Sequence, residues 1–136
     1  PIGGLVKLAF SGKYTEKELL DRLSRKAGLM AYVGQSDLRE VEKMIESGDK
    51  KAEVYYGAMI YQIAKEIGAC ATVLKGNYAA ILLTGGMAKS ARLIGFIRGH
   101  ISFLGEVVVV AGEFEMEALA AAAVRVLNKE ETPKEY

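Results

Sequence analysis

The stretch Ala80-Ile81-Leu82-Leu83-Thr84-Gly85-Gly86-Met87-Ala88-Lys89-Ser90 decides how the rest of the chain is read. Its first half is a continuous apolar run of strand length bounded by turn signals. It predicts a parallel strand over about 79–84, buried on both faces. Gly85-Gly86 follows at once, and the residues beyond predict a helix from about Ala88 to His100. A second run, Glu106 to Ala111 (EVVVVA), predicts another buried strand over about 106–111. The last helix, from about Glu115 to Asn128, carries a face of small residues at Ala118 and Ala120 to Ala123. Strand, helix, strand and helix in that order make a right-handed parallel crossover the default, so the second half is α/β.

The amino-terminal half is helical. Thr15-Glu16-Lys17-Glu18 is a capping box, in which the threonine oxygen accepts from the third amide and Glu18 reaches back to the cap. Leu19, Leu20 and Leu23 form the apolar stripe of the helix it opens, and Ala27-Gly28 closes it. Asp37, with Glu40 three residues on, repeats the pattern ahead of Leu38, Val41, Met44 and Ile45, and Ser47-Gly48 ends that second helix. Leu29 to Gly34, between the two, is a short apolar run of either type. From about Lys51 to Lys75 the polar residues Gln62, Lys65, Glu66, Thr72 and Lys75 fall on one narrow stripe, which predicts a long helix running through the middle of the domain. Gly57 and Gly68 within it cost roughly 1 kcal/mol each relative to alanine, which implies close approach of another backbone.

Composition limits what such a chain can do. It has 136 residues, with 18 Lys and Arg against 17 Asp and Glu, a formal charge of +1, one His and one Cys. A chain of this size buries roughly two-thirds of its unfolded surface, enough for a core without disulfides or metals. The near-balance of charge gives no cationic field for a phosphate backbone, and no apolar run reaches membrane-spanning length, so nucleic acid and membrane are not expected partners. A lone cysteine and a lone histidine leave a disulfide framework and a structural zinc cluster without support and fit a reducing, cytoplasmic setting. Pro1 in place of Met, with no secretory signal after it, is read as a sign that sequence upstream has been removed.

Three places offer chemistry. At Gly85-Gly86-Met87-Ala88 a strand ending in bare backbone feeds a helix, whose amides and dipole favour an anion; the plain alternative is a tight turn. Neither a dinucleotide fingerprint nor a Walker A loop is present. At Asp37-Leu38-Arg39 the carboxylate is most simply a helix cap, and beside an arginine it can also hold a ribose hydroxyl or a base. Glu113, Glu115 and Glu117 cluster at the start of the last helix, where the macrodipole alone explains them, although one of them near a nucleotide's phosphates could contact Mg2+ through water. His100 reads as a partner of its helix's C-terminal dipole, Cys70 as a small core residue, and Tyr55, Tyr56 and Tyr61 as helix packing.

The order of these pieces resembles a known family. GGLVKLAFSGKYT, SDLREVE, MIYQIAKEIGA, AILLTGGMAKS and GEFEMEALAAAAVRVL together resemble the C-terminal portion of the butyrate kinases, within the acetate and butyrate kinase family of the actin-like, sugar-kinase and Hsp70 superfamily. The resemblance implies a partial ribonuclease H-like (actin-like ATPase) C-terminal domain over 1–131 with a frayed tail at 132–136. It also implies a mostly helical fold with two recognisable parallel strands. The implied activity is reversible transfer of the ATP γ-phosphoryl group to butyrate or a related short-chain fatty acid, giving the acyl phosphate and ADP. Asp37, Arg39, Gly85, Gly86, Met87 and Ala88 would then be adenosine-side contacts, and Glu115 would be linked to Mg2+.

Lys89 and Phe114 depart from the family pattern, which has an aromatic residue or His at the first position and Asp or Asn at the second. The amino-terminal phosphate loop, the catalytic acid, His and Arg groups and the first three strands of the domain have no counterpart here. Residues 1–136 alone are therefore expected to be inactive, to hold no catalytic residue, and to form homo-oligomers through uncovered strands. The competing expectation is a free-standing, non-catalytic module for nucleotide binding or oligomerisation.

Overall fold

A computed structural model describes residues 2–112 and 114–133. Seven helices and two strands are present among them: α1 (Ile2–Ala9), α2 (Glu16–Ser24), α3 (Leu29–Val33), α4 (Leu38–Glu46), α5 (Lys50–Val73), β1 (Ile81–Gly85), α6 (Ala91–Ile101), β2 (Val107–Ala111) and α7 (Glu115–Leu127). Short 3-10 turns occupy Gly86–Lys89 and Ser102–Leu104. The chain divides into two compact units, Pro1–Ile63 and Ala64–Tyr136. Of the expected frayed tail, residues 134–136 lie outside the described part, as does Glu113.

In the first unit the helix ends are set by local chemistry. Thr15 accepts from the Glu18 amide at 3.3 Å while the Glu18 carboxylate accepts from the Thr15 amide at 2.8 Å, so the capping box closes both ways. Leu29–Val33 resolves as a short helix stopped by Gly34 in the left-handed conformation, φ +72°. Asp37 caps α4 by accepting from the Arg39 amide. The buried residues of the unit are Val41 of α4 and Ala52, Tyr56 and Ile60, which share one face of α5 at intervals of four. Tyr56 donates its hydroxyl hydrogen to Glu42 at 2.5 Å, tying α5 to α4. Tyr32 and Tyr55 stack with ring centroids 4.1 Å apart. Helix α1 is an element the sequence reading leaves unassigned; Gly3-Gly4 weakens its local signal, and none of its residues is buried.

Helix α5 corrects an expectation. It buries one residue per turn, at Ala52, Tyr56, Ile60 and Ala64, and does not run through a core, since Val54, Tyr61 and Val73 stand exposed. Among the described residues, nothing beyond their own helix backbone and chain neighbours comes within 4 Å of where a Cβ on Gly57 or Gly68 would stand, so neither makes room for a second backbone. Cys70, expected in the core, is exposed for the same reason: past Ala64 this helix contributes no buried side chain.

In the second unit β1 and β2 pair in parallel, Ile81 opposite Val107 through Gly85 opposite Ala111. The strands end within a residue or two of the expected limits, but they are not buried on both faces. Along β1, Ile81 and Leu83 are half-buried while Leu82 and Thr84 are exposed, the alternation of a sheet covered on one side. Apolar content sufficed to predict strands; burial on both faces needs a covering layer on each side. Leu93, Ile94, Ile97 and Ile101 of α6 and Ala88 of the preceding turn supply the buried residues here. Tyr78 donates its hydroxyl hydrogen to the Leu104 carbonyl at 2.8 Å, fixing the segment before β1 to the turn before β2.

Candidate functional site

The glycine turn lies at the carboxyl ends of both parallel strands, where ligands of open α/β sheets bind. Gly85 is the last residue of β1 with φ +84° and ψ −176°, a conformation essentially restricted to glycine, and a Cβ there would meet nothing within 4 Å. The backbone at Gly85 therefore faces open space. Gly112, just past β2, donates its amide hydrogen to the Gly85 carbonyl at 3.3 Å, so the two strand ends are locked side by side. Gly112 has φ +142°, and a Cβ on it would fall 2.8 Å from the Phe114 ring. The mouth of the sheet is thus walled by backbone from Gly85 on one strand and by Gly112 with the Phe114 ring on the other.

The structure corrects how the turn meets the helix. Helix α6 does not begin at Ala88: residues Gly86–Lys89 form a 3-10 turn, and Ser90 caps α6 by accepting from the Leu93 amide at 3.0 Å. The cause is local, because a serine hydroxyl satisfies an orphan amide that glycine cannot. An anion at the glycines would meet the amides of the tight turn, not the first amides of α6. Met87 is 44% exposed and Ala88 only 6%, so Ala88 can offer a ligand little beyond its backbone.

Asp37 and Arg39 lie in the first unit and are joined to each other. Asp37 Oδ1 accepts from both the Arg39 amide and Arg39 Nε at 3.0 Å, and Oδ2 accepts from Nη2 at 2.6 Å. This two-pronged pair with Arg39 holds the Asp37 carboxyl down at about 2 and raises the guanidinium. The arginine head remains 84% exposed, so its plane and outer donors face solvent.

Gln35 is the residue that sequence reasoning missed. Its Oε1 accepts from the amides of Ser36 and Asp37 at 2.8 and 2.9 Å, and an isolated glutamine between a helix stop and a helix cap carries no recognisable signal.

Glu115 opens α7 together with Glu117 in the first turn, and Phe114 offers no side-chain cap. Among the described residues no three His, Cys, Asp or Glu side chains gather into a metal site. A single exposed carboxylate suits Mg2+ only as an outer partner of an ion already held by phosphates, the usual manner for nucleotide-bound magnesium. His100 sits in the last turn of α6, as its reading as a dipole partner requires.

Comparison with known proteins identifies the family and the fold. The sequence profile of the Acetokinase family matches residues 6–130, and the chain belongs to that family. The fold is similar to the crystal structure of Porphyromonas gingivalis acetate kinase, with a TM-score of 0.76 at 20% identity. That match covers 93% of this chain and 38% of the acetate kinase, so the chain spans well under half the length of this structural relative. The two parallel strands within a mostly helical chain are therefore part of an actin-like ATPase fold. No helix among the described residues is long and apolar enough to cross a membrane.

Proposed function

We propose that this chain supplies the adenosine side of a carboxylate kinase, which transfers the γ-phosphoryl group of ATP reversibly to butyrate or a related short-chain fatty acid. The observation that carries the reading is the Gly85–Lys89 turn at the carboxyl ends of β1 and β2, in a chain of the Acetokinase family. Phosphoryl transfer is catalysed by positioning and by electrostatic stabilisation of the transferred group, so the role of these residues is to hold the nucleotide still. Bare backbone at Gly85 and Gly86 lets the adenosine and its phosphates approach closely, with Met87 at the rim. In the first unit, taken by itself, Arg39, its plane fixed by Asp37, offers a stacking face and outward N–H donors to a base or ribose. Bound Mg2+ would neutralise charge on the phosphates, and Glu115 is the carboxylate we assign to its outer shell.

The acid, His and Arg groups that would orient the carboxylate substrate have no match in this sequence, so binding and turnover should separate. Titrating the chain with ADP or a non-hydrolysable ATP analogue should show saturable binding, weakened about tenfold or more by Gly86→Val, whose branched side chain would fill the approach to the turn. Trapping acyl phosphate as hydroxamate, with ATP, Mg2+ and butyrate present, should give no product above background. No nucleotide binding, or binding unaffected by Gly86→Val, would remove the site from the turn; turnover at ordinary kinase rates would show that the chain holds catalytic groups of its own.

A further inference from the structure

We propose that Gln35 is the positioning residue of the Asp37–Arg39 pair, the element that sets where the arginine presents its plane to a nucleotide. The inference rests on the adenosine-side reading of that pair but is carried by separate geometry. Helix α3 ends at Gly34 in the left-handed conformation, which turns the chain before α4 begins. Two amides, of Ser36 and Asp37, lie in the gap between the helices, outside the regular hydrogen bonding of either. Both are taken by one atom, Gln35 Oε1, at 2.8 and 2.9 Å. Since both partners are N–H groups, the accepting atom must be the amide oxygen, which fixes the side chain's orientation.

This contact fixes the backbone on the amino side of Asp37, while the carboxylate fixes it on the other by capping the Arg39 amide. The guanidinium is then aligned by two contacts to the same carboxylate. The order of dependence runs from the Gln35 oxygen, to the direction of Asp37, to the plane of Arg39. A flexible arginine loses rotamer entropy when it orders on a ligand, and a residue that orders it beforehand raises affinity without touching the ligand.

The test compares the unmodified chain with Gln35→Ala, which removes the acceptor, and Gln35→Glu, which keeps an oxygen at the same reach. The readouts are solvent exchange of the Arg39 Nε–H by NMR and affinity for ADP. Gln35→Ala should speed Arg39 Nε–H exchange about threefold or more and weaken ADP binding by about three- to tenfold, the range of one ordinary hydrogen bond. The protection of the Ile45 amide in the body of α4 should stay the same, and Gln35→Glu should restore both readouts. Unchanged Nε–H exchange in Gln35→Ala, or a Gln35→Glu variant as impaired as Gln35→Ala, would overturn the proposal. Equal loss of protection along all of α4 would overturn it too, by showing that Gln35 only stabilises the helix. If the unmodified chain binds no ADP, the adenosine-side reading fails, and with it Gln35's role toward a nucleotide; the exchange data then still report whether Gln35 orders the pair.

Discussion

Asp37 concentrates two structural contacts on one carboxylate: it caps α4 and it holds Arg39 from two directions. Both contacts need the ionised form, which is why the Arg39 side chain, then the Arg39 amide, pull its pKa to about 2. A group depressed in the folded state stabilises fully above its unfolded pKa of about 3.9, and the contribution is lost as the pH falls through the folded value. Start-of-α4 order should therefore hold at pH 5 and fade between about pH 4 and 2. Titration of the Asp37 carboxyl carbon by NMR should report an apparent pKa of about 2, and Arg39→Gln should move it up toward the ordinary value; an unmoved titration in that variant would show that the cap alone sets it. The cap was readable in the sequence, since Asp followed by a helical stripe is a strong start signal. Its engagement by Arg39 was not, because two residues' separation along a chain does not say whether their side chains converge.

The strands and the turns that follow them place the candidate site at the scale of elements. Gly85 and Gly112 both have positive φ, but their surroundings differ: open space at the first, the Phe114 ring at the second. Gly85→Ala should cost about 1–3 kcal/mol from backbone strain alone. Gly112→Ala adds a steric conflict to that strain and should cost more, with part of the difference recovered in the double variant Gly112→Ala, Phe114→Ala. Chemical denaturation of the four proteins measures this, and equal losses at the two glycines would mean that Phe114 swings aside freely. The sequence carried the Gly-Gly signal at the end of β1, yet the helix start was displaced to Ser90, because capping is decided by which side chain reaches an orphan amide.

For the whole molecule, the contrast between buried and exposed apolar residues sets the expectations. Ile60 is 1% exposed and truncation to alanine should destabilise the chain by about 2–5 kcal/mol, whereas Cys70→Ser, at an exposed position, should fall within about 0.5 kcal/mol. A Cys70→Ser variant as damaging as Ile60→Ala would mean that the outer part of α5 is covered in solution. Leu82 of β1 and Met116, Leu119, Val124 and Leu127 of α7 are exposed, and α7 buries no residue at all. Apolar surface of this kind, in a chain whose sheet has only two strands among the described residues, should drive self-association at micromolar concentration. Sedimentation velocity would check it, and a compact monomer of high thermal stability would contradict it.

What the sequence determined by itself was local and periodic: the capping box at Thr15, the cap at Asp37, the helical character of α4 and α5, two apolar strand segments and the glycine turn between strand and helix. Each depends on residues a few positions apart, and the order of those segments suffices to mark the family. What only the tertiary structure decided depends on groups brought together, or left apart, by the fold. The exposure of Cys70, the one-sided burial of β1, the meeting of Gly85 with Gly112 and the two amides gathered by the Gln35 oxygen are of this kind. Burial and hydrogen-bond partnership are properties of neighbours in space. A strand's apolar content shows that it wants cover, and only the packed chain shows on which face cover is found.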